Sequence, residues 1–219
     1  MATAHTDPAP YGPMTYARFL DWLDEDTLAE WVDGTVVMTS PASARHQLLV
    51  AFFAGTLARF IEVAHVGGTV LTGPFQMKLA NAGREPDVLF LARAHKRRLR
   101  QTHLNGPADL VIEVISPESV KRDREQKFSE YQQAGIPEYW LIDPADQHAD
   151  FFQLDAQGIY QRVAPDAQGI YQAPTILGFW LNIAWLWQEP LPAVDEALLD
   201  IMGQTYASYL REQMRRRGL

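Results

Sequence analysis

The chain has 219 residues, 47% of them hydrophobic, with six Trp and a formal net charge of −8. That length suits one domain with a decoration, and the apolar content argues for a packed globule rather than a disordered chain. The acidic balance speaks against a general nucleic-acid coat, and a chain without cysteine has no disulfides, thiolate metal sites or thiol nucleophiles.

Residues 1–13 carry prolines and little to bury, and lack the basic start and apolar run of a secretory signal. They read as a mobile tail. From Thr15, a cap residue, Tyr16, Phe19, Leu20 and Leu23 follow helical spacing. Residues 30–38 read as a hairpin because Asp33-Gly34 suits a type I′ turn, and Ser40-Pro41 breaks its second strand. Ser43 caps a long helix reaching about Ala64, with Leu49, Phe52, Phe53, Leu57, Phe60 and Ile61 on its apolar face. Gly67-Gly68 ends it. Strands at Thr69–Thr72 and 75–79 join at Gly73-Pro74, and Asn81-Ala82-Gly83 reads as the next turn.

Residues 84–144 read REPDVLFLA, a basic loop KRRLR, DLVIEVISPES, KRDREQKFSEYQQAG and IPEYWLIDP. In the strand DLVIEVI, alternation puts Asp109, Val111, Glu113 and Ile115 on one face and Leu110, Ile112 and Val114 on the other. An ionised carboxylate among β-branched residues is costly unless it is paired or metal-bound. Asp87, at the head of a neighbouring strand 87–91, brings a second acid near it. Two such groups repel unless a cation or proton lies between them, which points to a divalent metal. The following helix, 120–134, capped by Ser119 and stopped by Gly135, carries Asp123, Lys127 and Tyr131 on one stripe. With strand Glu138–Asp143 it closes a βαβ unit. If the stripe faces the sheet, an ammonium lies beside two carboxylates, an arrangement suited to phosphodiester cleavage.

Each residue alone has a plainer reading: a turn aspartate after proline, a Glu113 paired with a buried arginine, a solvated Lys127. Their joint order favours the site. His46, in the first turn of the long helix, could meet a phosphate or orient a water, or be an ordinary hydrogen-bonded side chain. Tyr131 could hydrogen-bond a phosphate or pack with its polar tip satisfied. Basic residues cluster at 93–100, 121–124 and 211–217, the first two flanking this region; short basic runs are also common as solvated faces.

DAQGIYQ occurs at 155–161 and again at 166–172. The copies are too short for solenoid units, and each reads as a turn leading into a β-ribbon strand appended to the sheet. Residues 175–187 read as core. Residues 195–217 form an amphipathic pattern with a basic last turn, expected to dock on the body or on a second subunit. The longest apolar run, 176–187, is too short to span a bilayer. A soluble cytoplasmic protein with no membrane partner is the expectation.

Pro86-Asp87 and the Glu113 strand resemble the PD-(D/E)XK nuclease superfamily. Within it the chain resembles the restriction endonuclease family called Uma-two, through MTYARFLDWL, EWVDGTVVM, REPDVLFLA, PADLVIEVISPES, DREQKFSEYQQAGIPEYWLIDP and LGFWLNIAWLW. The resemblance implies an α/β fold: a restriction-endonuclease-like mixed β-sheet core flanked by helices, with a late β-hairpin region and a C-terminal helix. The expected division is a nuclease-like domain at 14–190 and a helical extension at 191–219. The superfamily motif has Lys two residues after the acid, where this chain has Ile115; the resemblance implies that Lys127 has taken its place. It further implies Mg²⁺, with Mn²⁺ as a substitute, held by Asp87, Glu113 and the Val114 carbonyl. DNA is the implied substrate, and a homodimer suits cutting both strands. Glu30 would gain an acidic role near the metal, against its plain reading as an exposed carboxylate at a strand start. The missing lysine and the acidic charge also leave a non-catalytic nucleic-acid or protein-binding module on a degenerate nuclease fold. Hydrolysis of a small phosphorylated molecule is a third reading.

Overall fold

The structure, a computed structural model, describes residues 12–24, 27–38 and 42–218. Most of the expected tail and the Ser40-Pro41 break lie outside these residues. Thr15 accepts a hydrogen bond from the Arg18 amide and starts helix α1 (Tyr16–Trp22). Strands β1 (Ala29–Val32) and β2 (Thr35–Met38) pair around Asp33 and Gly34, whose φ values of 47° and 86° are the positive pair a type I′ turn requires. Ser43 accepts from the His46 amide and opens helix α2 (Ala44–Val63).

Nine further strands divide between two large sheets. They are β3 (Thr69–Thr72), β4 (Gln76–Lys78), β5 (Ala82–Arg84), β6 (Val88–Leu91), β7 (His103–Asn105), β8 (Leu110–Val114), β9 (Glu138–Asp143), β10 (His148–Leu154) and β11 (Tyr160–Arg162). The six-stranded sheet runs β11-β10-β9-β8-β6-β3, and the five-stranded sheet runs β2-β1-β5-β4-β7. A further pair, β12 (Ile170–Gln172) and β13 (Trp180–Asn182), stands apart. Among the described residues only β8/β9 and β4/β7 are parallel, so both large sheets are mixed.

The alternation expected in β8 is present. Leu110, Ile112 and Val114 pack with the apolar face of α2 on one side of the six-stranded sheet. Val111 and Ile115 pack on the other side with Tyr131 and Tyr139. Helix α2 is long and apolar enough to cross a membrane by composition, but half of that stretch is buried inside the protein. Residues 175–187 are core only in part: Ile176, Phe179, Leu181 and Leu186 are nearly inaccessible, whereas Leu177 is 84% exposed.

Several local expectations are corrected. Ala82 and Gly83 belong to strand β5, not to a turn; a Cβ on Gly83 would run into the Tyr16 ring and the Gln76 side chain. The basic stretch Arg93–Arg98 is a 3-10 turn, followed by the unexpected strand β7. Ser119 does not cap the helix after β8, because its hydroxyl exchanges hydrogen bonds with the Ser116 backbone. That helix begins near Val120, widens into a π-helical turn at Arg122–Lys127, and continues as α3 (Phe128–Ala134) to Gly135, whose φ is 76°. The Asp123 carbonyl in the widened turn accepts the Tyr139 hydroxyl at 3.1 Å.

The two DAQGIYQ copies fold alike at their turns. Asp155 accepts the amides of Gln157 and Ile159, and Asp166 those of Gln168 and Ile170. Their strands part company: β11 joins the main sheet, whereas β12 pairs only with β13. The single C-terminal helix is two, α4 (Val194–Met202) and α5 (Gln204–Arg216), divided at Gly203 with φ 53°. Ala197, Leu198 and Tyr206 pack into the same core as α2.

Candidate active site

Asp87 sits where the chain enters β6, and its Oδ2 accepts the Val114 amide of neighbouring β8 at 2.7 Å. The same oxygen lies 3.1 Å from His46 Nε2, delivered by the first turn of α2. Burial works against a charged imidazole there, but the Asp87 carboxylate raises the His46 pKa above its ordinary value. The other carboxylate oxygen of Asp87 has no hydrogen-bond partner among the described residues.

Glu113, on the α3 face of β8, is 2% exposed. Its Oε1 accepts the Tyr131 hydroxyl at 2.7 Å, and its Oε2 is 2.9 Å from Lys127 Nζ. Lys127 is also 3.3 Å from Asp123 and 3.4 Å from Glu30. The expected stripe Asp123–Lys127–Tyr131 therefore does face the sheet. Burial, reinforced by Asp87, Asp123 and Glu30, raises the Glu113 pKa above the usual carboxylate range against the pull of Lys127. Burial likewise opposes the Lys127 charge, yet Glu113, Glu30 and Asp123 hold its pKa well above the usual lysine range.

Glu30 is corrected from an exposed strand-start carboxylate to a buried one, 1% exposed. It accepts from Arg84 at 2.9 Å and from the Glu85 amide at 3.2 Å. Arg84, fully buried on β5, also donates to both oxygens of Glu130 on α3 at 2.7 Å each. Glu85 accepts from Gln76, and burial raises its pKa to about 7.

These groups surround a cleft of about 460 Å³. Glu30, Glu85, Asp87, Glu113 and Glu118 line it together with His46, Arg122, Lys127 and Val114. Tyr131 does not reach it: its hydroxyl is buried behind Glu113, which fits a positioning role rather than a phosphate contact. The 93–100 cluster is absent from the lining too; Arg98 and Arg100 donate to nearby backbone carbonyls instead. Sequence reasoning missed Arg84, Glu85, Gln76 and Glu130. The only signal for Arg84 was its place just ahead of Pro86-Asp87, since its partners are 46 and 54 residues away.

Among the described residues no three His, Asp or Glu side chains form a metal cage. The donor set still fits Mg²⁺, which takes one or two carboxylates and fills its remaining positions with water and phosphate oxygens. The observation behind that fit is the surplus of buried carboxylate around Glu113, which a divalent cation would relieve.

Mixed sheets flanked by helices define an α/β protein whose cleft gathers Asp87, Glu113 and, from the widened helical turn, Lys127. The fold is similar to the crystal structure of a "putative nuclease belonging to DUF820" from Anabaena variabilis ATCC 29413. The TM-score is 0.66 at 16% identity, covering 80% of this chain and 98% of that one. The chain belongs to the Uma2 family, described as "Putative restriction endonuclease", whose model matches residues 16–184. No curated protein matches the chain.

Proposed function

We propose that the chain is a metal-dependent endonuclease hydrolysing phosphodiester bonds of DNA, with Asp87, Glu113 and the Val114 carbonyl holding Mg²⁺ or Mn²⁺. Family membership supports nuclease function in general. The observation that carries the finer reading is Lys127 Nζ, 2.9 Å from Glu113 at a cleft that Asp87 also lines. The ion, when bound, supplies Lewis-acid polarisation of the phosphate and a more acidic water.

The chain's own residues do the rest. His46 and the Val114 amide orient Asp87 through one oxygen, leaving the other for a ligand. Tyr131 fixes the rotamer of Glu113. Lys127 is held as an ammonium by its three carboxylates, so it does not accept a proton from water. It orients the attacking water and offsets negative charge building on the phosphorane. Glu30 and Asp123 keep Lys127 in place from behind.

The test is plasmid cleavage in Mg²⁺ and Mn²⁺ with wild type, Asp87→Ala and Glu113→Ala, alongside calorimetric Mn²⁺ uptake. Cleavage by wild type, with cleavage and metal uptake lost in both variants, is the expected result. A wild type that takes up no metal and cuts nothing overturns the proposal in favour of a non-catalytic binding module. Metal uptake with hydrolysis of small phosphoesters alone redirects it to that substrate class.

A further inference from the structure

Resting on the nuclease reading above, we infer that Arg122 grips a backbone phosphate of the nucleic-acid substrate at the mouth of the cleft. Five carboxylates line that cleft, and an anion entering it needs a cation it can reach. Lys127 is committed to the reacting centre: its side chain is 4% exposed and held by Glu113, Glu30 and Asp123, so it does not extend to a neighbouring phosphate at the mouth. Arg122 lines the same cleft with its side chain 26% exposed.

Its guanidinium is held by charge attraction through Nε, but by no hydrogen bond among the described residues. Arg84 is saturated by Glu130 and Glu30, and Arg124 donates to Asp143 and Asp150. The Arg122 side chain makes no hydrogen bond among the described residues, and its Nε is buried without a partner. Glu30 at 4.0 Å and Asp123 at 3.8 Å attract it electrostatically but stand beyond hydrogen-bond range. They hold the side chain over the cleft and leave its donor fork open. A planar fork matches two oxygens of one phosphate, which a lysine cannot match bidentately. The ligand class is therefore a phosphodiester, gripped beside the bond that Asp87 and Glu113 serve.

The experiment compares wild type, Arg122→Gln and Arg122→Lys. Duplex binding is followed by fluorescence anisotropy across a salt series with Ca²⁺ in place of Mg²⁺, and Mn²⁺ uptake is measured separately. Arg122→Gln should weaken binding about tenfold, the scale of one charge-assisted contact. It should also reduce the salt slope by about 0.9, one phosphate's share. In cleavage, KM should rise more than kcat falls, and Arg122→Lys should recover part of the affinity. Unchanged Mn²⁺ uptake in Arg122→Gln is part of the expected result; its loss would show Arg122 acting through the carboxylates and overturn the inference. Unaltered affinity and slope in a variant whose wild type binds and cuts DNA overturns Arg122's role alone. A wild type that neither binds nor cuts removes the nuclease reading and this inference with it.

Discussion

Replacing Arg84 with methionine removes the guanidinium that ties the five-stranded sheet to helix α3. Arg84 donates to both oxygens of Glu130 and to one of Glu30. The Glu130 side chain is 28% exposed and can turn to water, but that of Glu30 is 2% exposed and cannot. Removing one partner of a buried ion pair costs about 3–5 kcal/mol. Lys127 and the Glu85 amide would still face Glu30, so the lower end applies, about 3 kcal/mol. In a chain of this size that corresponds to a fall in Tm of about 10 °C.

The loss should also depend on pH. Burial alone would raise the Glu30 pKa, but Lys127, then Arg84, Arg122 and the Glu85 amide pull it from 4.5 to about 2. A carboxylate depressed in the folded state contributes stability above its unfolded value and loses it as pH falls toward the folded value. For Glu30 that window runs from about 5 down to about 2. The deficit of Arg84→Met relative to wild type is therefore full at neutral pH and shrinks below about pH 4. Urea unfolding followed by tryptophan fluorescence, at neutral pH and near pH 3.5, measures both values. A deficit of equal size at the two pH values, or none at all, would refute the pairing of Arg84 with the Glu30 charge.

Four further outcomes are expected. Glu113→Gln should lose cleavage at least a hundredfold and weaken Mn²⁺ uptake, because the amide keeps the shape of the carboxylate but not its charge; wild-type cleavage in it would remove Glu113 from the site. Lys127→Met should abolish cleavage and cost about 3–5 kcal/mol while leaving Mn²⁺ affinity largely intact, and full activity in it would end the case for a migrated lysine. Tyr131→Phe should cost about 1.5–3 kcal/mol by stripping a hydrogen bond from a buried acid, read by thermal melts beside the cleavage rate. Gly83→Ala should destabilise by about 1–3 kcal/mol, since the new methyl must displace Tyr16 or Gln76; wild-type stability would deny that close approach.

Local signals in the sequence translated into local structure. Asp33-Gly34 made its turn, Thr15 and Ser43 capped their helices, and Gly135 stopped the helix that carries Lys127. The stripe Asp123–Lys127–Tyr131 was legible because four-residue spacing is a property of the helix itself. The break at Gly203 was missed because residues on both sides of it keep an amphipathic pattern. The second DAQGIYQ strand was misassigned because strand pairing depends on register with distant chain, which a seven-residue copy does not encode.

The sequence by itself determined the βαβ unit, the acids at 87 and 113 and the amine that follows them, since torsional preference and alternation depend on neighbours along the chain. Only the tertiary structure decided that Glu30 is buried, that Arg84 braces it, that Arg122 alone keeps an open fork at the cleft among the arginines near it, and that the 93–100 cluster lies off the lining. Those facts turn on desolvation and pairing, and a charged group's surroundings are set by whatever distant segment folds over it.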